Sequence, residues 1–308
     1  MKKPVSEDDI ISLFRLMFED KSSLDDIGLF ESDDIKLAFN IDTFVKSSDA
    51  PSGMDYYYMG WKAVISTISD LYVKGVPPIG LLISIGVSNE DIDGLNALSK
   101  GIKDASHKYK LHVVKWDTNS SKDLFLSIAA FGYAPENIPW RKNLKDGDII
   151  VVSDYFGLEG LGLKIMLGEI QADPYLSKRA IERFCKPAPD FTKYLYIVKK
   201  GVNASTDSSD GLSRALWNLS RSSGKKIILN NLPTHPLIQK SSLPDDIKYE
   251  VTLYSGEEYI GVFSISEAML EDAVDKGFII IGRVEGKGVG VYDSDGKLIL
   301  DRGWSHKI

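Results

Sequence analysis

From Tyr56 to Lys74 apolar residues recur at 3.6-residue spacing without a proline, which predicts a long helix. Gly75-Val76-Pro77-Pro78 stops it, and the apolar run Ile79 to Val87 that follows reads as a buried strand. A long helix returning at once into a short buried strand demands a layered fold. The same exchange of periods recurs nearby. Ser6 with Asp9 resembles a capping box, and Ile10, Ile11, Phe14, Met17 and Phe18 then set an amphipathic helix that should end near Asp20. Ile35 to Asp42 reads as a strand, Glu90 to Tyr109 as a helix, and Leu111 to Trp116 with Leu124 to Ala134 as two more strands. Strands interleaved with helices indicate an α/β or α+β domain.

At roughly 100–200 residues per domain, the length of 308 residues favours two units. Pro135, Pro139 and the polar segment Arg141 to Asp148 interrupt the pattern, placing the units at 1–138 and 139–308. The second should open with strand Ile149 to Ser153 and a short helix framed by Gly157, Gly160, Gly162 and Gly168. Helices at Ser177–Cys185 and Phe191–Lys200, a strand at Val202–Asp207 and a helix at Gly211–Ser222 come next. Strands are expected near Lys226–Leu229, Tyr249–Leu253, Tyr259–Ile265, Phe278–Val284 and Val289–Tyr292, with a helix at Glu267–Asp275.

Composition removes several classes of function. Hydrophobic residues at 43% and charged residues at 26% are near the globular average, so a sizeable core is available. A formal charge of -7 is opposite to the basic footprint of a nucleic-acid binder. The apolar runs fall far short of the roughly 20 residues of a spanning helix, and Met1-Lys2-Lys3-Pro4 leads into acidic residues rather than an apolar signal segment. Neither a nucleic-acid partner nor a membrane is expected. Cys185 is the single cysteine, which suits a buried structural thiol and a reducing, cytoplasmic location.

The common catalytic motifs are missing. No G-x-x-x-x-G-K-[ST] occurs, and G-L-E-G-L-G at Gly157–Gly162 serves tight helix packing at least as well as nucleotide binding. His107, His112, His235 and His306 lack metal-ligand spacing, and no G-x-S-x-G elbow is present. What the chain does have is a set of aspartates at strand ends, in adjoining turns or along a helix: Asp33, Asp34, Asp42, Asp70, Asp117, Asp207 and Asp210. Any one alone is usually a cap. Several in one cleft would repel one another unless divalent cations neutralised them, the layout of a phosphoryl-transfer site without a P-loop.

The words around these aspartates resemble those of the thiamine-monophosphate kinases, in the superfamily that includes aminoimidazole ribonucleotide synthetase, selenophosphate synthetase and a hydrogenase-maturation protein. S-D-D at Ser32–Asp34 resembles the family's G-D-D, and N-I-D at Asn40–Asp42 its S-T-D. Gly60–Gly75 resembles its long helix ending S-D-L-x-x-M-G, and W-D-T-N at Trp116–Asn119 its G-D-T. Arg141 with Lys145-Asp146-Gly147-Asp148 resembles R-x-G-A-x-P-G-D, and D-S-S-D-G-L at Asp207–Leu212 resembles D-x-S-D-G-L. S-G-E-E-Y at Ser255–Tyr259 and G-W-S-H at Gly303–His306 resemble G-G-E-D-Y and G-W-D-H. So many words in one order, spread over almost the whole chain, form a specific signal.

The resemblance implies a two-domain, aminoimidazole ribonucleotide synthetase-like fold of the α+β or α/β class, its N-terminal domain pairing in a homodimer to build a β-barrel. It implies ATP and Mg²⁺, with Asp33, Asp42, Asp70, Asp117, Asp207 and Asp210 holding the metal ions. Arg141, Ser209 and Asp117 would serve ATP, and Asp49, Glu257 and Trp304 thiamine monophosphate, with Asp42 and Asp210 central to the transfer. The implied reaction is direct phosphorylation of thiamine monophosphate to thiamine diphosphate. The chain departs from the pattern at Ile41, at Lys115-Trp116 and at Asp49. A kinase for another acceptor and an impaired nucleotide-binding paralogue therefore stay open as alternatives.

Overall fold

The computed structural model describes residues 7–18 and 25–304; Ser6, Asp20 and His306 lie outside the described residues. Helix α1 (Glu7–Met17) opens the chain where the apolar spacing puts it. A hairpin of β1 (Gly28–Ser32) and β2 (Ile35–Val45) follows, then a single turn α2 (Lys46–Asp49) and the long α3 (Tyr56–Val73). Next come β3 (Gly80–Val87), α4 (Ile92–Lys108), β4 (His112–Ser120) and β5 (Phe125–Tyr133). These strands form one sheet in the order β1-β2-β5-β3-β4, antiparallel except for β3 with β4.

Alternation along β2 separates the two faces of this sheet. Ala38 and Phe44 point inward and are buried. Phe39 and Ile41 point outward, and with Phe30, Ile35, Leu82 and Tyr133 they leave an apolar face exposed. Among the described residues, helix α3 packs on the inner face. Asp55 caps α3 by accepting from the Tyr57 N–H at 2.7 Å. The helix buries Val64, Ile65, Ile68 and Leu71 completely, because it packs on β2, β5 and α4 and on the helix Phe191–Lys200 of the second unit. Gly60 and Gly101 let α3 and α4 touch backbone to backbone: a Cβ on Gly101 would lie 1.9 Å from the Tyr57 carbonyl oxygen.

The second unit contains β6 (Ile149–Val152), α5 (Leu158–Met166), α6 (Pro174–Cys185), α7 (Phe191–Lys200), β7 (Ala204–Thr206) and α8 (Leu212–Ser223). It continues with β8 (Lys225–Leu229), α9 (Pro236–Gln239), α10 (Asp245–Leu253), β9 (Val262–Ile265), α11 (Leu270–Asp275), β10 (Ile279–Lys287) and β11 (Gly290–Asp293). The sheet order is β11-β8-β10-β6-β9-β7. One hydrophobic cluster runs from Ile65 and Ile68 of α3 to Phe184, Phe191 and Tyr194, so α3 is shared by both units. Cys185 is buried in that cluster, and burial pushes its thiol pKa up.

Two expectations need correction. Tyr249–Leu253, read as a strand, is the last part of α10. Asp245 and Asp246 in the first turn favour the helix, and Val251 and Leu253 bury as it packs on α5, overriding the strand preference of Tyr and Val. Strand β1 was not anticipated, because its residues are all exposed and carry no core-facing alternation. Gly101→Ala should cost about 1–3 kcal/mol, as overpacking does, read as a lower midpoint in urea unfolding. An unchanged midpoint would mean that α3 and α4 do not touch there.

Candidate active site

Three segments far apart in sequence each bring one carboxylate to the joint between the units. Asp70 lies in the last turn of α3, Asp207 follows β7 directly, and Asp26 precedes β1. Each offers an oxygen, and these oxygens all lie within 4.8 Å of one another. Local hydrogen bonds aim them. Ser69 donates to Asp207 Oδ2 at 2.7 Å and Ser209 to Oδ1 at 3.2 Å, while Asn40 Nδ2 donates to Asp70 Oδ2 at 2.7 Å. The Asp207 to Gly211 loop is held in turn by Ser208, whose hydroxyl accepts from the Ile260 N–H at 3.0 Å.

Two cations stand behind the cluster. Lys74 is fully buried, and its Nζ lies 2.6 Å from Asp25 Oδ1 and 2.9 Å from Asp26 Oδ2. It also donates to the Ser205 carbonyl at 2.6 Å and the Pro139 carbonyl at 3.1 Å. Arg141 pairs through Nη2 with Asp26 and donates from Nε to Thr206 Oγ1 at 3.1 Å. Burial would raise the Asp26 pKa, but Arg141 and Lys74 outweigh it and hold the carboxyl below its ordinary value. At Asp70 and Asp207 Arg141 acts in the same direction but is outweighed. Burial, reinforced by Asp207 and Asp26, pushes Asp70 well above the carboxylate range. Burial, with Asp26 beside it, takes Asp207 up to about 6. Asp42 is also raised, by burial and then by Glu257 and Asp49, against a hydrogen bond from Ser66. Carboxylates crowded until they resist ionisation suit a divalent cation, which relieves the repulsion through hard oxygen ligands.

A cleft beside this cluster is lined by Ile41, Asp42, Asp49, Asp70, Ser209, Asp210, Glu257 and Trp304, so most of the expected site residues do converge. Glu257 and Trp304 are placed through the backbone: the Glu257 N–H binds the Ser209 carbonyl at 2.6 Å, and the Trp304 N–H the Asp210 carbonyl at 3.0 Å. A second pocket shares Asp49, Glu257 and Trp304 and adds Leu163, Leu167 and Phe184. Asp49 is tied down, Oδ2 accepting from the Val45 N–H at 2.6 Å and Oδ1 from Ser48 at 2.8 Å.

Two expected residues lie elsewhere. Asp33 occupies the exposed tip of the β1–β2 hairpin at φ 40°, a turn conformation that Asp tolerates, and Asp26 takes the place beside Asp70 that Asp33 was expected to fill. Asp117 sits in edge strand β4, paired with Ser84, and is exposed. Three strand spacings of roughly 4.8 Å each separate β4 from β2, and the register puts Asp117 on the open face with Thr43. Among residues sequence reasoning did not single out, Asp25, Asp26, Lys74 and Thr206 matter most. The signal for Asp26 was another Asp-Asp doublet, close before a strand.

The similarities to known proteins agree with this geometry. Residues 24–134 match the family described as AIR synthase related protein, N-terminal domain. A thiamine-monophosphate kinase of Pyrococcus abyssi is 33% identical, covering 97% of this chain and 95% of its own. The chain belongs to the thiamine-monophosphate kinase family. A member from Nitrosopumilus maritimus is 31% identical with 98% of both chains covered. The solved complex of AaThiL with AMPPCP and TMP superposes with TM-score 0.87 at 28% identity, over 98% of this chain and 97% of that one. A thiamine monophosphate kinase structure from Aquifex aeolicus gives 0.81 at 26% identity, over 94% and 97%.

The raised Asp207 pKa has a defined sign for stability. A carboxyl that binds its proton more tightly folded than unfolded contributes stability fully below about pH 4, lost as pH rises through about 6. Metal-free protein should therefore gain more in Tm from added Mg²⁺ at about pH 7.5 than at about pH 5. Asp207→Asn should flatten that difference. Equal Mg²⁺ responses at both pH values in the parent protein would contradict the site.

Proposed function

We propose that this chain transfers the γ-phosphoryl group of ATP to the phosphate of thiamine monophosphate, with Mg²⁺, giving thiamine diphosphate and ADP. The observation that carries the reading is the Asp26–Asp70–Asp207 cluster, opening on a cleft that also holds Asp42 and Asp210. Full-length similarity to thiamine-monophosphate kinases, and to a solved AaThiL complex with AMPPCP and TMP, supports the substrates. Asp26, Asp70 and Asp207 would hold Mg²⁺, which would offset the charge of the phosphate groups.

The protein's own part is placement. Asp26, Asp70 and Asp207, with Asp42 and Asp210 in the adjoining cleft, would hold the metal-bound triphosphate. Ser209 orients Asp207 and lies where it can reach a phosphate. Arg141 keeps Asp26 ionised, so its service to ATP runs through that carboxylate. No general base is needed, since a phosphate monoester with second pKa near 6 is already ionised at about pH 7. Trp304, Glu257 and Phe184 line the pocket suited to the organic end of the acceptor. An indole face favours a thiazolium cation.

The departures from the family pattern fit this reading. The Asp49 carboxylate is occupied by its own turn, and Trp116 lies in a groove with Leu98 and Ile102 of α4 rather than in the cleft. Ile41 does line the cleft, as an apolar wall. A different acceptor or an impaired paralogue is not favoured. The units are taken as 1–138 and 139–308, and a cytoplasmic enzyme agrees with the single buried thiol; among the described residues no helix is long and apolar enough to cross a membrane. The uncovered apolar sheet face, with Phe30, Phe39 and Tyr133, is the surface through which two copies would close a β-barrel.

Three outcomes are expected. Asp42→Asn and Asp210→Asn should each abolish ADP release that depends on thiamine monophosphate, with the fold intact by circular dichroism; undiminished turnover removes that residue from the site. Trp304→Ala should weaken acceptor affinity by about twofold to thirtyfold, the equivalent of about 0.5–2 kcal/mol, and leave ATP affinity unchanged. Sedimentation should give a dimer of 34.2 kDa subunits that Tyr133→Glu converts to monomers. A parent protein monomeric at micromolar concentration would remove the barrel.

A further inference from the structure

Lys62 lies on α3, one turn-pair before Asp70, and its side chain is 1% exposed. Its ammonium meets two groups. It pairs with Glu257 Oε2, and it stands 3.7 Å from the centroid of the Phe184 ring. A buried ammonium costs several kcal/mol of desolvation, and a Met of similar length would fill the same space beside Phe184 without that cost. The charge therefore needs a use.

Glu257 supplies one. Its backbone is left-handed at φ 72°, a conformation that a side-chain-bearing residue holds only where its surroundings fix it. The Tyr259 hydroxyl donates to the same Oε2 at 2.9 Å. With Oε2 taken by Lys62 and Tyr259, Oε1 is the oxygen offered to a ligand. Glu257 lines both the acidic cleft, beside Asp42, and the pocket with Phe184 and Trp304. Freed from the ammonium, this carboxylate would be one more ligand for a cation in the cleft.

We propose that Lys62 is a positioning residue for the acceptor: it holds Glu257 facing the Phe184–Trp304 pocket and keeps its carboxylate from joining the metal-binding aspartates. This rests on the acceptor reading of that pocket.

The test compares Lys62→Met, Lys62→Arg and the double variant Lys62→Met/Glu257→Gln. Lys62→Met should raise KM for thiamine monophosphate by about 10- to 100-fold, as loss of a group that orients a ligand-binding side chain does. KM for ATP·Mg²⁺ should stay within about twofold, and Tm should fall in Lys62→Met, where Glu257 loses its partner, and recover in the double variant, where neither charge is left. Lys62→Arg should recover much of the loss. Mn²⁺ titration followed by electron paramagnetic resonance, without nucleotide or acceptor, should show tighter binding in Lys62→Met and parent-like binding in the double variant. That arm decides the role of Lys62 even if the parent protein turns over no thiamine monophosphate, which would overturn the kinase reading alone. Unchanged Mn²⁺ affinity in Lys62→Met, or equal rises in both KM values, would overturn the proposal.

Discussion

The buried ammonium of Lys74 is the constraint around which the site is built. It closes α3, where a cation also meets the negative end of the helix dipole. From that point it reaches the Asp25 and Asp26 carboxylates before β1, the Pro139 carbonyl between the two sheets and the Ser205 carbonyl in β7. One side chain thus fixes how the second unit sits on the first. Its desolvation is offset only because every hydrogen-bonding direction is met, and removing a partner from such a buried pair costs about 3–5 kcal/mol. Arg141 adds a second cation to the same doublet.

These two cations divide the carboxylates into unequal sets. Asp25 and Asp26 pair with Lys74 and Arg141, which hold Asp26 below its ordinary value; at Asp70, Asp207 and Asp42 burial prevails and their proton affinities rise. The carboxylates with raised proton affinity therefore gather where the cleft opens. Lys62 repeats the device at the far wall by matching Glu257. What is left unmatched lies between them, the position that a cation-bound polyphosphate would fill.

Much of this was legible in the sequence because the informative residues end secondary-structure elements. Helix α3 was read to within a residue, and Asp42, Asp70, Asp207 and Asp210 occur in words with a clear local role. The Asp-Asp doublet was misplaced because two of them, Asp25-Asp26 and Asp33-Asp34, flank a strand whose exposed residues carry no periodic signal. Only the fold shows that β1 carries one doublet to the joint and the other to a hairpin tip. Lys74 and Lys62 were hidden for a different reason: a lysine in a helix is ordinarily solvated, and its burial here depends on segments more than a hundred residues away.

The claim at the centre of this account is that Lys74 and Arg141 neutralise one side of an aspartate cluster whose other side binds metal. Anomalous diffraction from crystals grown with Mn²⁺ and a non-hydrolysable ATP analogue tests it directly. The account predicts a Mn²⁺ peak touching Asp26, Asp70 and Asp207 on the side facing Asp42, with Lys74 still on Asp25. A peak at the Asp33-Asp34 hairpin with none at the joint, or a triphosphate bound with no cation among these three carboxylates, would contradict it.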